Sequence, residues 1–248
     1  MSLFQNDLPA PPTIFPKSEG YSFEYDAATR LFHIKVPDGE LIYSESFFEP
    51  KISDRSINYL LENRNGLDWR TTDWRAYEQH QLAQIAFTNI KWQHDTINMF
   101  GKRMYLPRYT AWYGDGGKSY TYSGITMQPE AWNKGLLYIK EQVEKIAAQS
   151  FNSVLLNWYR DGNDKMGWHA DDEPELGQNP VIASVNFGAT RRFLLRRNAD
   201  HKEKLEFSLK HGSLLIMKGT MQHHWQHTVP KEAKVKEDRI NLTFRQIK

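Results

Sequence analysis

The His-x-Asp pair formed by His169 and Asp171 has the most direct chemical content of any feature in this chain. Two residues apart at a strand end, both side chains can face one metal ion, and a third histidine would complete a 2-His-1-carboxylate set. That set holds non-haem Fe(II) and leaves coordination positions open for a co-substrate and oxygen. His211, His223, His224 and His227 are the candidates for the third ligand. The C-terminal run Arg239-Ile240-Asn241-Leu242-Thr243-Phe244-Arg245 alternates, so Arg239, Asn241, Thr243 and Arg245 share one strand face, while Ile240, Leu242 and Phe244 share the other. Two guanidiniums on a polar face suit a small dicarboxylate, because Arg binds carboxylate in a bidentate fork. Asn157 and Tyr159 project together from an apolar strand just before the His-x-Asp pair. Singly, each of these features is common in folded proteins. Their order along the chain points to chemistry that uses Fe(II), 2-oxoglutarate and O2.

The elements that must position these groups follow from periodicity. Arg30 to Ser44 alternates around Pro37-Asp38-Gly39, with Phe32, Ile34 and Val36 on one side, which predicts a hairpin. Ser53 or Asp54 is expected to cap a short helix carrying Ile57, Leu60 and Leu61. Residues 64–90 carry no clear period. Apolar residues at 132, 136, 139, 143 and 146 predict an amphipathic helix. Beyond it lie short apolar runs at 151–159, 181–187, 192–196, 205–209, 213–217, 223–228 and 239–246, separated by turn residues. Close-spaced strands without intervening helices imply a sandwich or barrel. The expected class is therefore mainly β with flanking helices.

Composition narrows the field further. The chain has 248 residues and a formal net charge of +2, so any nucleic-acid surface must be a local patch rather than a basic domain. Basic residues gather at Lys91, Lys102, Arg103, Arg108 and Lys118, at Arg191, Arg192, Arg196 and Arg197, and at Lys231, Lys234 and Lys236. The absence of cysteine excludes disulfides, zinc–thiolate sites and a thiol nucleophile. No apolar run approaches membrane-spanning length, and no export signal is visible, so a cytoplasmic location is expected, with a nuclear one open for a eukaryotic source. Nothing demands more than a monomer.

Several longer segments resemble the AlkB family of nucleic-acid demethylases, in its branch acting on alkylated DNA. They are Pro107-Arg108-Tyr109-Thr110-Ala111-Trp112-Tyr113-Gly114-Asp115, Tyr120-Thr121-Tyr122-Ser123-Gly124, Asn157-Trp158-Tyr159-Arg160-Asp161-Gly162, His169-Ala170-Asp171-Asp172-Glu173, Ala183-Ser184-Val185-Asn186-Phe187-Gly188-Ala189, His211-Gly212-Ser213-Leu214-Leu215-Ile216-Met217 and the final Arg-x-Asn-x-Thr-x-Arg. They run from about residue 90 to the C-terminus, roughly two-thirds of the chain. The resemblance implies a double-stranded β-helix, a jelly-roll variant, over residues 131–248, preceded by an N-terminal extension and nucleotide-recognition lid over 21–130 and a flexible leader over 1–20.

It also implies His227 as the third ligand, because this residue precedes Thr228-Val229-Pro230. Arg239, Asn157 and Tyr159 would take the distal carboxylate of 2-oxoglutarate. Arg245 would lie near the metal-proximal end, with Asn241 and Thr243 orienting the arginines or the third ligand. The implied reaction is oxidative hydroxylation of an N-methyl group on 1-methyladenine or 3-methylcytosine in single-stranded or duplex DNA, with formaldehyde, succinate and carbon dioxide released. RNA, a protein or a small molecule is the alternative substrate.

Phe100-Gly101-Lys102 resembles the finger of the duplex-acting branch, in which an aromatic wedge fills the gap left by an extruded base. Arg108, Tyr113, Tyr122 and Ser123 are expected to contact substrate, and Trp112 to pack in the core. Asp172 is expected to accept from an exocyclic amine and to favour a cationic methylated base.

Overall fold

The computed structural model describes residues 15–16, 18–99, 102–117, 120–122 and 125–248, with segments 97–99, 102–103, 120–122 and 125–127 described by their backbone only. The first half carries β1 (Ser22–Asp26), β2 (Leu31–Val36), β3 (Gly39–Ser44), α1 (Pro50–Leu60), α2 (Gln79–Leu82), β4 (Thr96–Met99), β5 (Lys102–Tyr105), β6 (Tyr109–Gly114), β7 (Tyr120–Tyr122), β8 (Ile125–Met127), β9 (Glu130–Ala131) and α3 (Lys134–Ala147). The second half carries β10 (Ser153–Tyr159), β11 (Met166–His169), β12 (Ile182–Gly188), β13 (Arg191–Arg197), β14 (Lys204–Leu209), β15 (Ser213–Lys218), the single-turn α4 (Met221–His224), β16 (Trp225–Val229) and β17 (Arg239–Arg245).

A major sheet runs β1-β2-β3-β15-β12-β17-β10-β6-β9 and a minor sheet runs β11-β16-β13-β14. From β10 onward the chain passes from one sheet to the other at every strand except the β13–β14 hairpin. That alternation makes a double-stranded β-helix. Strands from both sides of residue 130 share the major sheet, since β3 pairs with β15 and β6 with β10.

Three layers result. On one face of the major sheet, Val154, Leu156, Trp158, Ile240, Leu242 and Phe244 pack with Ile57 and Leu60 of α1 and Leu136, Ile139 and Val143 of α3. On the other face, Leu195, Leu205, Phe207, Trp225 and Val229 of the minor sheet pack against Ile34, Tyr43, Ile182 and Leu215. All seven residues of β17 are buried, including its polar Arg239, Asn241, Thr243 and Arg245. A buried polar strand face is costly unless its groups are paired, so the space between the sheets is where chemistry is to be sought.

Local signals mostly match the elements. β2 and β3 form the expected hairpin, with Val36 opposite Gly39 and Asp38 in the left-handed region at φ 60°. In α3, Oδ1 of Asn133 accepts from the amide of Leu136 at 3.0 Å, a normal N-cap. Two expectations need correction. Helix α1 begins at Pro50, ahead of Ser53 and Asp54, because proline is favoured in the first helical turn; Ser53 lies inside the helix and donates to the Phe48 carbonyl at 3.1 Å. His223 and His224, at the start of the apolar run expected as a strand over 223–228, are instead exposed on α4. Residues 64–90 form a mostly irregular segment, and its Trp74 and Phe87 pack edge-on against Trp158. The leader expected over residues 1–20 falls largely outside the described residues, although Phe15 packs edge-on against Tyr21 and Phe23. Among the described residues, no helix is long and apolar enough to cross a membrane.

Candidate active site

β11 and β16 pair antiparallel with His169 opposite His227, and their ring centroids lie 4.2 Å apart. Asp171 follows β11, and its Oδ1 is 3.9 Å from Nε2 of His169. The ligand atoms of His169, Asp171 and His227 all lie within 4.8 Å of one another, a separation one metal ion can span. Nδ1 of His169 lies 2.9 Å from the Gly167 carbonyl, which places its proton there and leaves Nε2 for a metal. His211 stands apart, with its Nδ1 accepting from the amide of Gly188 at 2.9 Å. With His223 and His224 exposed on α4, His227 alone of the four candidates joins the pair.

The protonation states suit a cation. Burial, helped by the neighbouring His169, pushes the imidazole of His227 down to about 3, so it is neutral and free to ligate. Burial acts to raise the carboxyl of Asp171, but the Arg245 guanidinium and the two imidazoles outweigh it and hold the group at about 2. Nη2 of Arg245 donates to Oδ1 of Asp171 at 2.8 Å, while Oε1 of Gln222 accepts from the Asp171 amide at 2.9 Å.

The major sheet supplies the opposite wall. On β17, Arg239 sits opposite Tyr159 of β10 and Gly188 of β12, and Asn241 sits opposite Asn157 and Asn186. Gly188, at φ 87°, allows this approach, because a Cβ there would meet the Asp238 carbonyl at 2.4 Å. The Arg239 guanidinium lies 5.0 Å over the Tyr159 ring and donates through Nη2 to Oδ1 of Asn186. Among the described residues, no acceptor meets its buried Nε and Nη1. Burial draws Arg239 down to about 10, so it is still a cation at neutral pH. A buried guanidinium with unused donors costs several kcal/mol unless an anion takes them, and a carboxylate fits that fork. The donor set therefore fits both an Fe(II) ion and 2-oxoglutarate.

A small cavity of about 40 Å³ lies between the two walls. Asn157, Tyr159, Arg239, Asn241, Thr243 and Arg245 line it from one side, and His169, Asp171 and His227 from the other, with Leu155, Met166, Phe193, Met217 and Val229 as apolar lining. Asn241 and Thr243 are largely committed to each other and to the sheet. Nδ2 of Asn241 donates to Oγ of Ser184 at 2.7 Å, and Oγ1 of Thr243 donates to Oδ1 of Asn241 at 2.9 Å.

The expected substrate contacts fare differently. Tyr113 is corrected: it is buried on the helix-side face of β6, and its hydroxyl accepts from the Lys91 amide at 3.0 Å, because strand alternation turns it away from the metal set. Arg108 is corrected as well. It is 2% exposed, and its Nε donates to Oδ1 of Asn157 at 2.7 Å, so it does not face a solvent-side substrate. Trp112 packs in the inter-sheet core as expected, and its Nε1 donates to Oγ of Ser153 at 2.6 Å. Asp172 is exposed beside the buried Asp171. Phe100, Gly101 and Ser123 lie outside the described residues. Lys102 and Tyr122 lie at strand ends described only by their backbone.

Part of the basic patch dissolves. Arg191 is 1% exposed and tied to Glu232 and three carbonyls, and Arg192, Arg197 and Lys91 form ion pairs with Glu206, Asp38 and Glu130. Two site residues had no signal in the sequence reading: Gln222, which holds the Asp171 backbone, and Asn186, which takes one arm of Arg239.

Comparison with known proteins agrees with this geometry. The profile of the 2OG-Fe(II) oxygenase superfamily matches residues 67–245. The alpha-ketoglutarate-dependent dioxygenase alkB homolog 3 of Bos taurus is 40% identical over 222 residues, covering 86% of this chain and 74% of that protein. Its Homo sapiens counterpart is 38% identical with the same coverage. The protein called DNA oxidative demethylase ALKBH2 of Homo sapiens is 42% identical over 158 residues, covering 61% of this chain and 60% of that one. Among solved structures, that of OsALKBH1 superposes with a TM-score of 0.49 at 17% identity, covering 83% of this chain and 96% of that one. With the triad, the buried arginine and these relatives together, the chain belongs to the 2OG-Fe(II) oxygenase superfamily, as an AlkB-family dioxygenase that uses Fe(II), 2-oxoglutarate and O2.

Proposed function

We propose that this dioxygenase removes N-methyl groups from bases such as 1-methyladenine and 3-methylcytosine in DNA. The observation that carries the reading is the exposed carboxylate of Asp172 directly beside the buried ligand Asp171, in a chain whose relatives include proteins named for DNA demethylation. Methylation at adenine N1 or cytosine N3 makes the base a cation, and an acidic group next in sequence to a metal ligand would favour that form over the normal base.

Iron and 2-oxoglutarate, when bound, supply oxidation of the methyl C–H bond by O2, with succinate and carbon dioxide as co-products and formaldehyde lost from the hydroxymethyl base. The chain's residues do the holding. His169, Asp171 and His227 would ligate the metal, and Arg239 with Asn157 and Tyr159 would take the distal carboxylate. The apolar side chains of Met166, Phe193 and Val229 line the same cavity and keep water from it. A paired base cannot reach this depth, so the target is flipped out or already single-stranded. Phe100-Gly101-Lys102 is assigned to fill the gap in a duplex, and Tyr122 and Ser123 to border the base pocket.

Anaerobic loading with Fe(II) and 2-oxoglutarate, followed by air and matched single-stranded and duplex oligonucleotides carrying 1-methyladenine, tests the reading. Mass spectrometry should show methyl loss coupled to succinate. Succinate release with the methyl group intact would overturn the substrate assignment and move it to RNA, protein or a small molecule. Phe100→Ala should slow duplex repair more than single-strand repair.

A further inference from the structure

Arg108 lies one residue before β6, on the same face as Thr110, and Thr110 sits opposite Asn157 of β10. It is 2% exposed, and its Nε donates to Oδ1 of Asn157 at 2.7 Å. Among the described residues it forms no ion pair with a carboxylate. A guanidinium kept this dry, with a neutral amide as its partner, needs a reason.

We propose that Arg108 is a positioning residue for the co-substrate, acting through Asn157. An asparagine amide offers both an acceptor oxygen and a donor nitrogen, and either could face the cavity that Asn157 lines. Facing an anion, the oxygen would repel and the nitrogen would bind. Arg108 can only donate, so it captures Oδ1 and fixes the amide in one orientation. Nδ2 of Asn157, which donates to no acceptor among the described residues, is left for the carboxylate of 2-oxoglutarate. The buried charge of Arg108 adds to that of Arg239 on the same wall, so the cavity presents cations to a dianion before any metal contributes.

The chain thereby holds its co-substrate through three arginines with different tasks. Arg239 offers a fork, Arg245 is joined to the metal ligand Asp171, and Arg108 orients an amide. This inference rests on the co-substrate assignment of Asn157 and is independent of which substrate is demethylated.

The experiment is calorimetric titration of 2-oxoglutarate into the Mn(II)-loaded protein, for wild type, Arg108→Met, Arg108→Lys, Asn157→Asp and the double variant Arg108→Met/Asn157→Asp. Arg108→Met should raise the Kd for 2-oxoglutarate about tenfold or more, the size of effect seen when a supporting partner is removed from a site. In turnover, KM for 2-oxoglutarate should rise more than kcat falls. Arg108→Lys, which keeps a donor and a charge, should recover part of the affinity. Asn157→Asp still accepts from Arg108 but sets a carboxylate against the ligand, so it should lose binding while staying folded, and adding Arg108→Met to it should cost less than Arg108→Met alone. An unchanged Kd for 2-oxoglutarate in Arg108→Met, or strictly additive losses in the double variant, would overturn the proposal. A loss confined to oligonucleotide affinity would do the same and return Arg108 to substrate contact. A protein that binds 2-oxoglutarate in this pattern yet leaves methylated DNA untouched would refute the substrate reading alone.

Discussion

Nη2 of Arg245 lies 2.8 Å from Oδ1 of Asp171, so the last arginine of β17 is bonded across the cavity to a carboxylate of the candidate metal set. The contact joins the major sheet to the segment after β11 and holds a carboxylate ionised in a buried setting. Arg245→Met should therefore weaken metal binding about 10- to 100-fold, as loss of an outer partner does at other metal sites. Titration with Mn(II), read by calorimetry, measures this directly. Unaltered metal affinity with weakened 2-oxoglutarate binding would show that Arg245 serves the co-substrate and not the ligand.

Gln222 offers a second lever on the same ligand, from the backbone side. Its Oε1 accepts from the Asp171 amide, and the side chain is 2% exposed. Gln222→Leu keeps the volume but leaves a buried N–H unpaired, a loss of about 1–3 kcal/mol. Urea denaturation of the metal-free protein should show that drop, and Mn(II) affinity should fall with it. Gln222→Glu retains the acceptor and should be milder in both measurements. Equal stability for Gln222→Leu and wild type would mean the amide finds water instead.

His169 and Asp171 were legible because metal chemistry dictates residue type and spacing, whereas His227 was chosen among four histidines only through the family resemblance; strand register brings it opposite His169. The strand pattern after residue 150 was legible for a similar reason: Ile240, Leu242 and Phe244 alternate with polar partners, and one register satisfies both faces. β6 was not legible. Its Tyr109-Thr110-Ala111-Trp112-Tyr113-Gly114 carries aromatics on both faces and is buried throughout, so period two does not reveal which side meets the metal. Tyr113 was expected in the pocket on the family resemblance, and the strand's own pattern offered nothing to place it on the other face. The Asn157 partner of Arg108 and the site role of Gln222 escaped because the bonded residues lie 49 and 51 positions apart, beyond any local pattern. The start of α1 carried a signal in Pro50, one that favours the first helical turn more strongly than Ser53 favours a cap.

In the proposed reading, Asp172 discriminates among substrates. Its neighbour Asp171 is committed to the metal set, whereas Asp172 is exposed and free to meet a ligand. Asp172→Ala should slow removal of methyl groups from cationic 1-methyladenine and 3-methylcytosine more than from a neutral N-methyl base, and Asp172→Asn should fall between. Competition assays with mixed oligonucleotides give the ratio in one reaction. An identical lesion profile for Asp172→Ala and wild type would make the residue a solvated loop acid.

Asp238, just ahead of Arg239, supplies a test of stability rather than turnover. Burial, with a smaller push from Glu237, raises its carboxyl to about 7, and among the described residues Oδ2 meets no hydrogen-bond donor. An unfolded aspartate titrates near about 3.9. Between those two values the folded state keeps a proton that the unfolded state releases, so unfolding sheds a proton and stability falls as pH rises through the window. Asp238→Asn cannot ionise and escapes that fall. The variant should therefore be more stable than wild type at pH 8, with the gap closing toward pH 5. Urea midpoints across that range at constant ionic strength would show it. A gap that does not change with pH would mean that Asp238 is ionised in the folded protein throughout, its charge met by the nearby indole or by water.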